Sequence, residues 1–273
     1  MLSFIKFFEE RSPPPATTVY TSYSRCLVRQ KLALIGHGKM GLLVEEVARE
    51  QDLEVVGRFT SNQPLRAGDE AAEALRGQAV LIDFSAPSAV LETVRAAAAL
   101  ELDLVVGTTG WLDHLEEIHG LVETSGIGMV YGANFSLGVN LFYRVIDYAA
   151  KTFAAFDTYD PFIEEWHHKF KQDSPSGTAL EIERALARHY GEQPLPITSL
   201  RAGYSPSTHT VGFDSVSDTL RFDHQARSRR GFAEGAVLAA RWVEGRRGFH
   251  TFQQVLEAIH PGQPVLADNQ PGS

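Results

Sequence analysis

A glycine-rich turn between an apolar segment and a helical segment constrains the fold of this chain more than any other feature. The apolar segment spans residues 31–35, and the turn after it reads Gly36-His37-Gly38-Lys39-Met40-Gly41. Residues 42–50 then carry apolar side chains at helical spacing. In such a context the first glycine permits a tight turn, the second lets the backbone approach a pyrophosphate, and the third allows close packing of helix on strand. The segment predicts a dinucleotide-binding unit of the Rossmann type, with all six turn residues at the cofactor.

Strand and helix segments continue to alternate as far as residue 131. We predict further strands at 53–59, 79–84, 104–106 and 127–131, and helices at 87–100 and 111–124. This alternation implies a parallel sheet wrapped by helices, with ligands bound beyond the carboxyl ends of the strands. The residues expected to reach the cofactor from that edge are Arg58, Thr60, Phe84, Gly107, Thr108, Thr109, Gly132, Ala133, Asn134 and Phe135.

The end of the second predicted strand bears on the choice between NADH and NADPH. Enzymes that use NAD commonly carry an acidic residue there, which holds the ribose 2′-hydroxyl. This chain reads Thr60-Ser61-Asn62 instead. NADPH should therefore be tolerated, with Arg58 or the hydroxyls of Thr60 and Ser61 as partners of its 2′-phosphate, or else Arg58 faces solvent. The preference between the two cofactors stays open at this point.

A second group of reactive residues lies between residues 164 and 179. It holds His167, His168 and Lys171, followed by the turn Pro175-Ser176-Gly177-Thr178 and a helix predicted to run to about Tyr190. Histidine titrates near neutrality and suits general acid catalysis, and lysine pairs with carboxylates or delivers a proton. The helix start, with Ser176 as N-cap, is an anion site. The segment predicts a site for a small anion. The alternative is that the histidines are solvated surface residues and that the Ser-Gly-Thr turn is an ordinary helix cap.

No metal site is expected in this segment. Neither a cysteine, nor a third histidine, nor an obvious carboxylate completes a ligand set with His167 and His168 at the usual spacing.

After residue 136 the alternation of strand and helix stops. A helix is predicted at 137–155 and a strand at 158–165 that leads into the histidine loop, followed by β-like runs at 197–203, 209–213 and 218–225. Strands without intervening helices indicate an antiparallel or mixed sheet that is open on one face. An open face carrying Val211, Phe213, Leu220 and Phe222 would favour oligomerisation. Final helices at 232–243 and 251–259 are expected to return to the first unit.

Length and composition set the remaining expectations. A chain of 273 residues suggests about two domains. The predicted division comprises a flexible arm at 1–30, a dinucleotide-binding domain at 31–135 completed by helices at about 230–260, a substrate-binding and oligomerisation domain at 136–229, and a frayed tail at 261–273. A net charge of -9 argues against a nucleic-acid partner, and no apolar run approaches a membrane span. The single cysteine, Cys26, fits a cytoplasmic location.

From Lys31 to Ile259 the chain resembles the 4-hydroxy-tetrahydrodipicolinate reductase (dihydrodipicolinate reductase) family of the diaminopimelate route to lysine. The motifs that carry this resemblance are the glycine turn, Gly107-Thr108-Thr109-Gly110, Ala133-Asn134-Phe135-Ser136, and Glu165-Trp166-His167-His168 with Lys171 and Asp173-Ser174-Pro175-Ser176-Gly177-Thr178-Ala179. The resemblance implies hydride transfer from NADH or NADPH to C4 of the substrate and a homotetramer joined through the sheets of the second domain. It also implies that His167 is the proton donor and Lys171 a second one. The residues that it assigns to the substrate carboxylates are His168, Ser176, Gly177, Thr178 and Thr109.

Two positions depart from the family pattern. Ser207 stands where the family usually has glycine, which puts the backbone of that loop in doubt, and Thr60 replaces a frequent acidic residue.

Two other functions are compatible with these residues. A different NAD(P)-dependent dehydrogenase that acts on a dicarboxylate or amino acid would keep the glycine turn, but it would not need the paired histidines, the lysine and the Ser-Gly-Thr turn. A non-catalytic NAD(H)-sensing regulator would tolerate loss of the acid, whereas His167 and Lys171 are both present.

Overall fold

The computed structural model describes residues 30–191 and 194–259, which form two sheets with their helices. The strands of the first sheet are β1 (Lys31–Ile35), β2 (Glu54–Phe59), β3 (Val80–Asp83), β4 (Asp103–Val106), β5 (Gly128–Tyr131) and β10 (Gly248–Thr251). They are all parallel and lie in the order β2, β1, β3, β4, β5, β10. The helices of this unit are α1 (Lys39–Glu50), α2 (Glu70–Glu73), α3 (Pro87–Leu100), α4 (Leu115–Ser125), α7 (Arg230–Val243) and α8 (Phe252–Ile259).

The two faces of this sheet bury separate apolar cores. Ala33 and Ile35 face one core with α3 and α4, whereas Leu32 and Leu34 face the other with α1, α7 and α8. Successive residues of a strand point to opposite faces, so a parallel strand buried on both sides is apolar throughout. This arrangement confirms the predicted Rossmann-type α/β unit.

Strand β10 is absent from our sequence expectations. It spans Gly248–Thr251 and pairs in parallel with β5 at the edge of the sheet. A four-residue strand that contains glycine and histidine has no apolar run to mark it. Its position depends on α7, which packs on the sheet and returns the chain to the edge beside β5.

The second sheet contains β6 (Asp160–His167), β7 (Ile197–Arg201), β8 (Ser207–Asp214) and β9 (Thr219–Ala226), in the order β7, β6, β8, β9. Strands β6 and β7 are parallel and the other pairs are antiparallel, which confirms a mixed sheet. Helices α5 (Leu137–Phe153) and α6 (Gly177–Tyr190) cover one face. Ser207 opens β8 opposite Ala226, in an extended strand that accepts a serine.

Our assignment of apolar residues to the uncovered face of this sheet was wrong. Val211 and Phe213 are fully buried against α5 and α6, and Phe222 packs on the same core. Leu220 pairs with Phe213 and shares its side of the sheet. The alternation had been assigned to the wrong face, because the sequence does not show on which side of the strands the helices lie.

Two predicted segments fall outside the described residues, namely the arm up to residue 29 and the tail at 261–273. Within the described part of the chain, no helix is long and apolar enough to cross a membrane. The division into domains stays a prediction.

A close approach of α7 to the loop after β5 gives a test of this packing. A Cβ at Gly235 would lie 1.8 Å from the Phe135 carbonyl oxygen, so Gly235→Ala should lower the free energy of unfolding by about 3 kcal/mol. Gly120→Ala is the matched control, because Gly120 lies in α4 with no atom within 4 Å of its added Cβ. The control should unfold at or above the wild-type temperature. Equal melting temperatures for the two variants would contradict this packing.

Candidate functional site

The glycine turn has the geometry that a bound dinucleotide requires. A Cβ at Gly36 would lie 2.4 Å from the Phe84 carbonyl oxygen, and one at Gly41 would lie 2.3 Å from the Gly36 carbonyl oxygen. A Cβ at Gly38 would have no atom within 4 Å, which leaves open space above the backbone. Gly38 is the N-cap of α1, and no side chain caps that helix. The first-turn N–H groups of α1 are therefore available to a phosphate, and the residues fit the cofactor.

A cavity of about 920 Å³ opens beside this turn at the carboxyl ends of β1, β2 and β3. The predicted cofactor residues that line it are Gly36, His37, Gly38 and Thr60. Ser61 and Arg66 also line it, and Arg66 was not predicted. Its position depends on the loop after β2, which no local sequence pattern defines.

Asp83 ties together two of the predicted cofactor loops, and sequence analysis missed it. Its buried carboxylate accepts hydrogen bonds from the Ser85 amide (2.8 Å), the Ser85 hydroxyl (2.7 Å) and the Thr108 hydroxyl (2.8 Å). Burial raises the pKa of Asp83 above its ordinary value, and these donors oppose that rise. An acidic residue at the end of an apolar strand was a signal that could have identified it.

Four of the predicted cofactor residues on the loops after β3, β4 and β5 use their side chains within the fold. The Thr108 hydroxyl is bonded to Asp83, and the Phe135 ring is buried against Phe252 at a centroid distance of 4.7 Å. Phe84 packs over Gly107, where a Cβ would lie 2.2 Å from its ring. The side-chain amide oxygen of Asn134 accepts a bond from the Ser136 amide (2.9 Å), which shapes the loop after β5.

Arg58 is engaged by Glu45, a residue absent from our sequence expectations. Its guanidinium forms a bidentate pair with Glu45 of α1, with Nε to Oε2 at 2.9 Å and Nη2 to Oε1 at 2.6 Å. The His37 ring contacts the same carboxylate at 2.7 Å. The hydrogen bond from Arg58, followed by that from His37, lowers the pKa of Glu45 to about 2. Arg58 therefore neither faces solvent freely nor stands unpaired at the cofactor cavity.

The second group of predicted residues is built on β6. We expected the paired histidines in a loop, but His167 is the last residue of β6 and His168 follows it. Glu165 and His167 lie two residues apart, so both point toward the covered face, where both are buried. His168 is half-buried, with its ring 6.1 Å from that of Phe170. The two histidines thus differ in surroundings as well as in direction.

Glu165 is the centre of this group and was not predicted as a site residue. Its carboxylate accepts hydrogen bonds from Ser199 Oγ (2.6 Å), Arg201 Nη2 (2.7 Å) and the Ser176 amide (3.0 Å). Burial opposes its ionisation, but the bonds from Ser176, Ser199 and Arg201 outweigh it and lower the pKa of Glu165 to about 2. One carboxylate therefore joins β6, β7 and the start of α6.

Two histidines lie against the Glu165 carboxylate. His167 Nδ1 is 3.3 Å and His209 Nε2 is 3.7 Å from Glu165 Oε2, and their rings are 5.0 Å apart. Burial lowers the pKa of His209 to about 4 and also lowers the pKa of His167. Burial therefore favours the neutral form of both imidazoles in the free chain.

The fold brings a carboxylate and a third histidine beside His167, which their spacing along the chain does not show. Potential ligand atoms of Glu165, His167 and His209 lie within 4.8 Å of one another. The pairing of β6 with β8 brings His209 opposite Glu165, and no spacing along the chain reveals that pairing. Arg201, Ser199 and Ser176 already donate hydrogen bonds to this carboxylate.

The start of α6 has the predicted cap. The Ser176 hydroxyl accepts a bond from the Ala179 amide (3.2 Å) and contacts His209 Nε2 (3.2 Å). Gly177 is exposed, with no atom within 4 Å of an added Cβ. Thr178 hydrogen-bonds the buried Tyr143. The helix N-terminus therefore lies beside His167, with Glu165 between the two.

Lys171 and Thr109 complete the predicted substrate residues. Lys171 Nζ is 2.7 Å from Asp173 Oδ1, and this bond lowers the pKa of Asp173. The Lys171 amide donates to the His168 carbonyl oxygen (3.1 Å), which holds the two residues in one turn. Thr109 is exposed on the loop after β4, within the first group.

Comparison with known proteins assigns both halves of the chain to one family. Residues 30–135 match the family model described as dihydrodipicolinate reductase, N-terminus, and residues 138–256 match the one described as dihydrodipicolinate reductase, C-terminus. The chain belongs to the dihydrodipicolinate reductase family. The resemblance inferred from the sequence motifs is confirmed, and the chain is an oxidoreductase that uses a nicotinamide cofactor.

Individual relatives agree with this assignment. A protein called 4-hydroxy-tetrahydrodipicolinate reductase from Christiangramia forsetii is 33% identical, over 84% of this chain and 98% of the relative. One of the same name from Archaeoglobus fulgidus is 34% identical, over 81% of this chain and 96% of the relative. A solved structure described as dipicolinate-bound dihydrodipicolinate reductase from Paenisporosarcina superposes with a TM-score of 0.68 at 22% identity, over 82% of this chain and 98% of that one. At that identity the superposition supports the fold.

Proposed function

We propose that the chain reduces 4-hydroxy-tetrahydrodipicolinate to tetrahydrodipicolinate with NADH or NADPH, in the diaminopimelate route of lysine biosynthesis in the cytoplasm. The observation that carries the proposal is the buried carboxylate of Glu165, which touches both His167 and the Ser176 amide at the start of α6. A proton donor and an anion-binding helix end are thereby fixed side by side. Relatives named for this reaction, at 33% and 34% identity over most of the chain, support it.

The cofactor would be held by the glycine turn and by the residues predicted around it. The open backbone at Gly38 and the uncapped first turn of α1 would bind the pyrophosphate. Thr60 and Ser61 line the cavity and would lie near the adenosine ribose. When bound, the nicotinamide supplies a hydride to C4 of the substrate.

His167 would supply the proton that follows the hydride. Hydride addition leaves an enamine or carbanion-like centre that must be protonated, and an imidazole is a suitable general acid near pH 7. Glu165, 3.3 Å from Nδ1, favours the protonated ring, whereas burial and Lys171 disfavour it. A dianionic substrate adds negative charge beside the ring and should favour its protonation further.

The two substrate carboxylates would be bound by the α6 N-terminus and the cations beside it. Gly177 and Thr178 present the first N–H groups of a 14-residue helix, and Ser176 caps it. His168 and Lys171 lie in the preceding turn, and Lys171 would leave Asp173 for a substrate carboxylate or donate a second proton. Thr109 would reach the substrate from the cofactor side.

The uncovered face of the second sheet would form the interface of a homotetramer. Pleating places Trp166 and Leu200 on this face, and they are 41% and 51% exposed. Arg221 lies over the Phe162 ring and pairs with Glu164 on the same face. An apolar patch interrupted by paired charges is typical of subunit contacts.

The test of the proposal is oxidation of NADH and NADPH with substrate generated in place by a coupled synthase. Lys171→Met should raise KM about tenfold and lower kcat, because it removes a cation from the substrate carboxylates. Lys169→Met is the matched control, since Lys169 is exposed with its ammonium over the rings of Phe170 and Tyr204. The control should retain wild-type constants.

Two outcomes would contradict the proposal. No oxidation of either cofactor when the substrate is supplied, despite measurable cofactor binding, would indicate a dehydrogenase for another dicarboxylate or a regulator that senses NAD(H). Equal effects of the two lysine variants would refute the placement of Lys171 at the substrate.

A further inference from the structure

The Glu45 carboxylate organises a charge cluster at the cofactor turn that the reaction itself does not use. Arg58 binds both of its oxygens, and His37 contacts Oε2 at 2.7 Å. The Glu45 side chain is only 15% exposed, whereas that of Arg58 is 43% exposed. Arg49 also forms an ion pair with Glu45, with Nη2 at 3.4 Å from Oε1. Glu45 is therefore the less exposed centre of the cluster, and Arg58 is a half-exposed member bonded to both of its oxygens.

This cluster lies where a dinucleotide places its adenosine ribose. In the Rossmann fold the ribose lies beyond the carboxyl end of the second strand, next to the glycine turn. Arg58 is the penultimate residue of β2, and His37 belongs to the turn. His37 also lines the 920 Å³ cavity together with Thr60 and Ser61. A phosphate on the ribose 2′-oxygen would enter the surroundings of this cluster.

The charges of the cluster oppose such a phosphate. Strand β2 ends in Thr60 rather than in an acid, yet Glu45 brings a carboxylate to the same region from α1. Arg58, the cation on β2 best placed to bind a 2′-phosphate, has its charge balanced by Glu45. A phosphate dianion would have to separate Arg58 from Glu45 while approaching the carboxylate itself.

We propose that Glu45 is a specificity-determining residue that lowers affinity for NADPH relative to NADH by withholding Arg58 from the 2′-phosphate. The inference rests on the nicotinamide dependence stated in the proposed function. Glu45 acts here through Arg58 and need not touch the cofactor.

The test is calorimetric binding of NADPH and NADH to the full chain, repeated with 2′,5′-ADP and 5′-AMP, which differ only in the 2′-phosphate. Glu45→Gln should raise the ratio of NADPH to NADH affinity about tenfold, the effect of freeing one guanidinium near a dianion. Glu45→Asp keeps the charge and should leave the ratio near that of the wild type. Arg58→Gln should lower the ratio, because the negative charge of Glu45 then faces the phosphate without a balancing cation. When Arg58→Gln is added to Glu45→Gln, the rise in the ratio should disappear.

Several results would overturn the inference. An unchanged ratio in Glu45→Gln, or a gain that survives the addition of Arg58→Gln, would exclude Arg58 as the residue released. If Glu45→Gln lowers the affinity for both cofactors by the same factor, Glu45 has only a structural role. If Glu45→Gln does not fold, an unchanged ratio of NADPH to NADH affinity in Arg58→Gln is enough by itself to overturn the inference. Failure of the wild type to bind either cofactor would instead refute the proposed function.

Discussion

His167→Gln is expected to lower kcat about 10²–10³-fold while leaving the dissociation constants of the cofactor within a factor of three. Glutamine fills a similar volume but cannot supply a proton near neutral pH, and His167 lies in β6 away from the glycine turn. Stopped-flow or steady-state oxidation of NADH, with cofactor binding measured separately, would separate the two effects.

The matched control for this variant is His189→Gln. His189 lies at the end of α6 and pairs with Asp147 at 3.0 Å, outside the group around Glu165. Its substitution should change kcat less than twofold. A His167→Gln enzyme that retains a fifth or more of the wild-type turnover would show that another group donates the proton.

The pH dependence of kcat/KM gives His167 a second signature. Burial lowers the pKa of His167 below its ordinary value in the free chain. Since the acid form is the active one, kcat/KM should fall as pH rises, with a midpoint below that of an exposed histidine. A midpoint above pH 7 would contradict the assigned acid.

Glu165→Gln is expected to destabilise the second sheet by about 3 kcal/mol and to move this midpoint to still lower pH. The substitution leaves Arg201 and the Ser176 amide without their anion, and it removes the charge that favours protonated His167. Urea unfolding would measure the first effect and the pH profile of kcat/KM the second. A purely structural residue would not shift the profile.

The neighbouring Glu164 supplies the matched control for this prediction. Glu164→Gln alters the same kind of side chain on the uncovered face, where Glu164 pairs with Arg221 and is 44% exposed. It should change stability by less than about 1 kcal/mol and leave the profile unchanged. Identical behaviour of the two variants would refute the role given to Glu165.

The same carboxylate predicts an acid limit to stability. The folded chain holds the pKa of Glu165 at about 2, below its ordinary value of 4.5. The contribution of Glu165 to the free energy of unfolding is therefore complete above pH 4.5 and is lost as pH falls toward 2. In Glu165→Gln this part of the acid transition should be absent from unfolding curves measured across that range.

The elements that the sequence predicts best are those whose causes are local. Helix α3 begins and ends at the predicted Pro87 and Leu100, because proline favours a helix start and a long apolar pattern follows it. Strands β1 to β5 were identified because each carries a short apolar run, whereas β10 carries none. Ser176 was assigned as a cap for the equally local reason that its hydroxyl precedes a helix.

The residues that sequence analysis missed depend on contacts between distant segments. Glu165, Arg201 and His209 meet because β6 pairs with β7 on one side and β8 on the other. Glu45 and Arg58 meet because α1 packs beside β2. No periodicity in a single segment encodes such a register, so Glu45, Glu165, Arg201 and His209 were not assigned to a site, and Arg58 was assigned to the cofactor without its partner Glu45.

The late position of α7, β10 and α8 in the chain has a consequence for its synthesis on the ribosome. Leu32, Leu34 and Val44 emerge early, yet the core that buries them also needs Val237 and Phe252. Until translation passes residue 252, the nascent chain exposes apolar residues on one face of its first five strands. We expect stalled or truncated nascent chains to recruit chaperones that bind such faces, and release of the last helix to end that association.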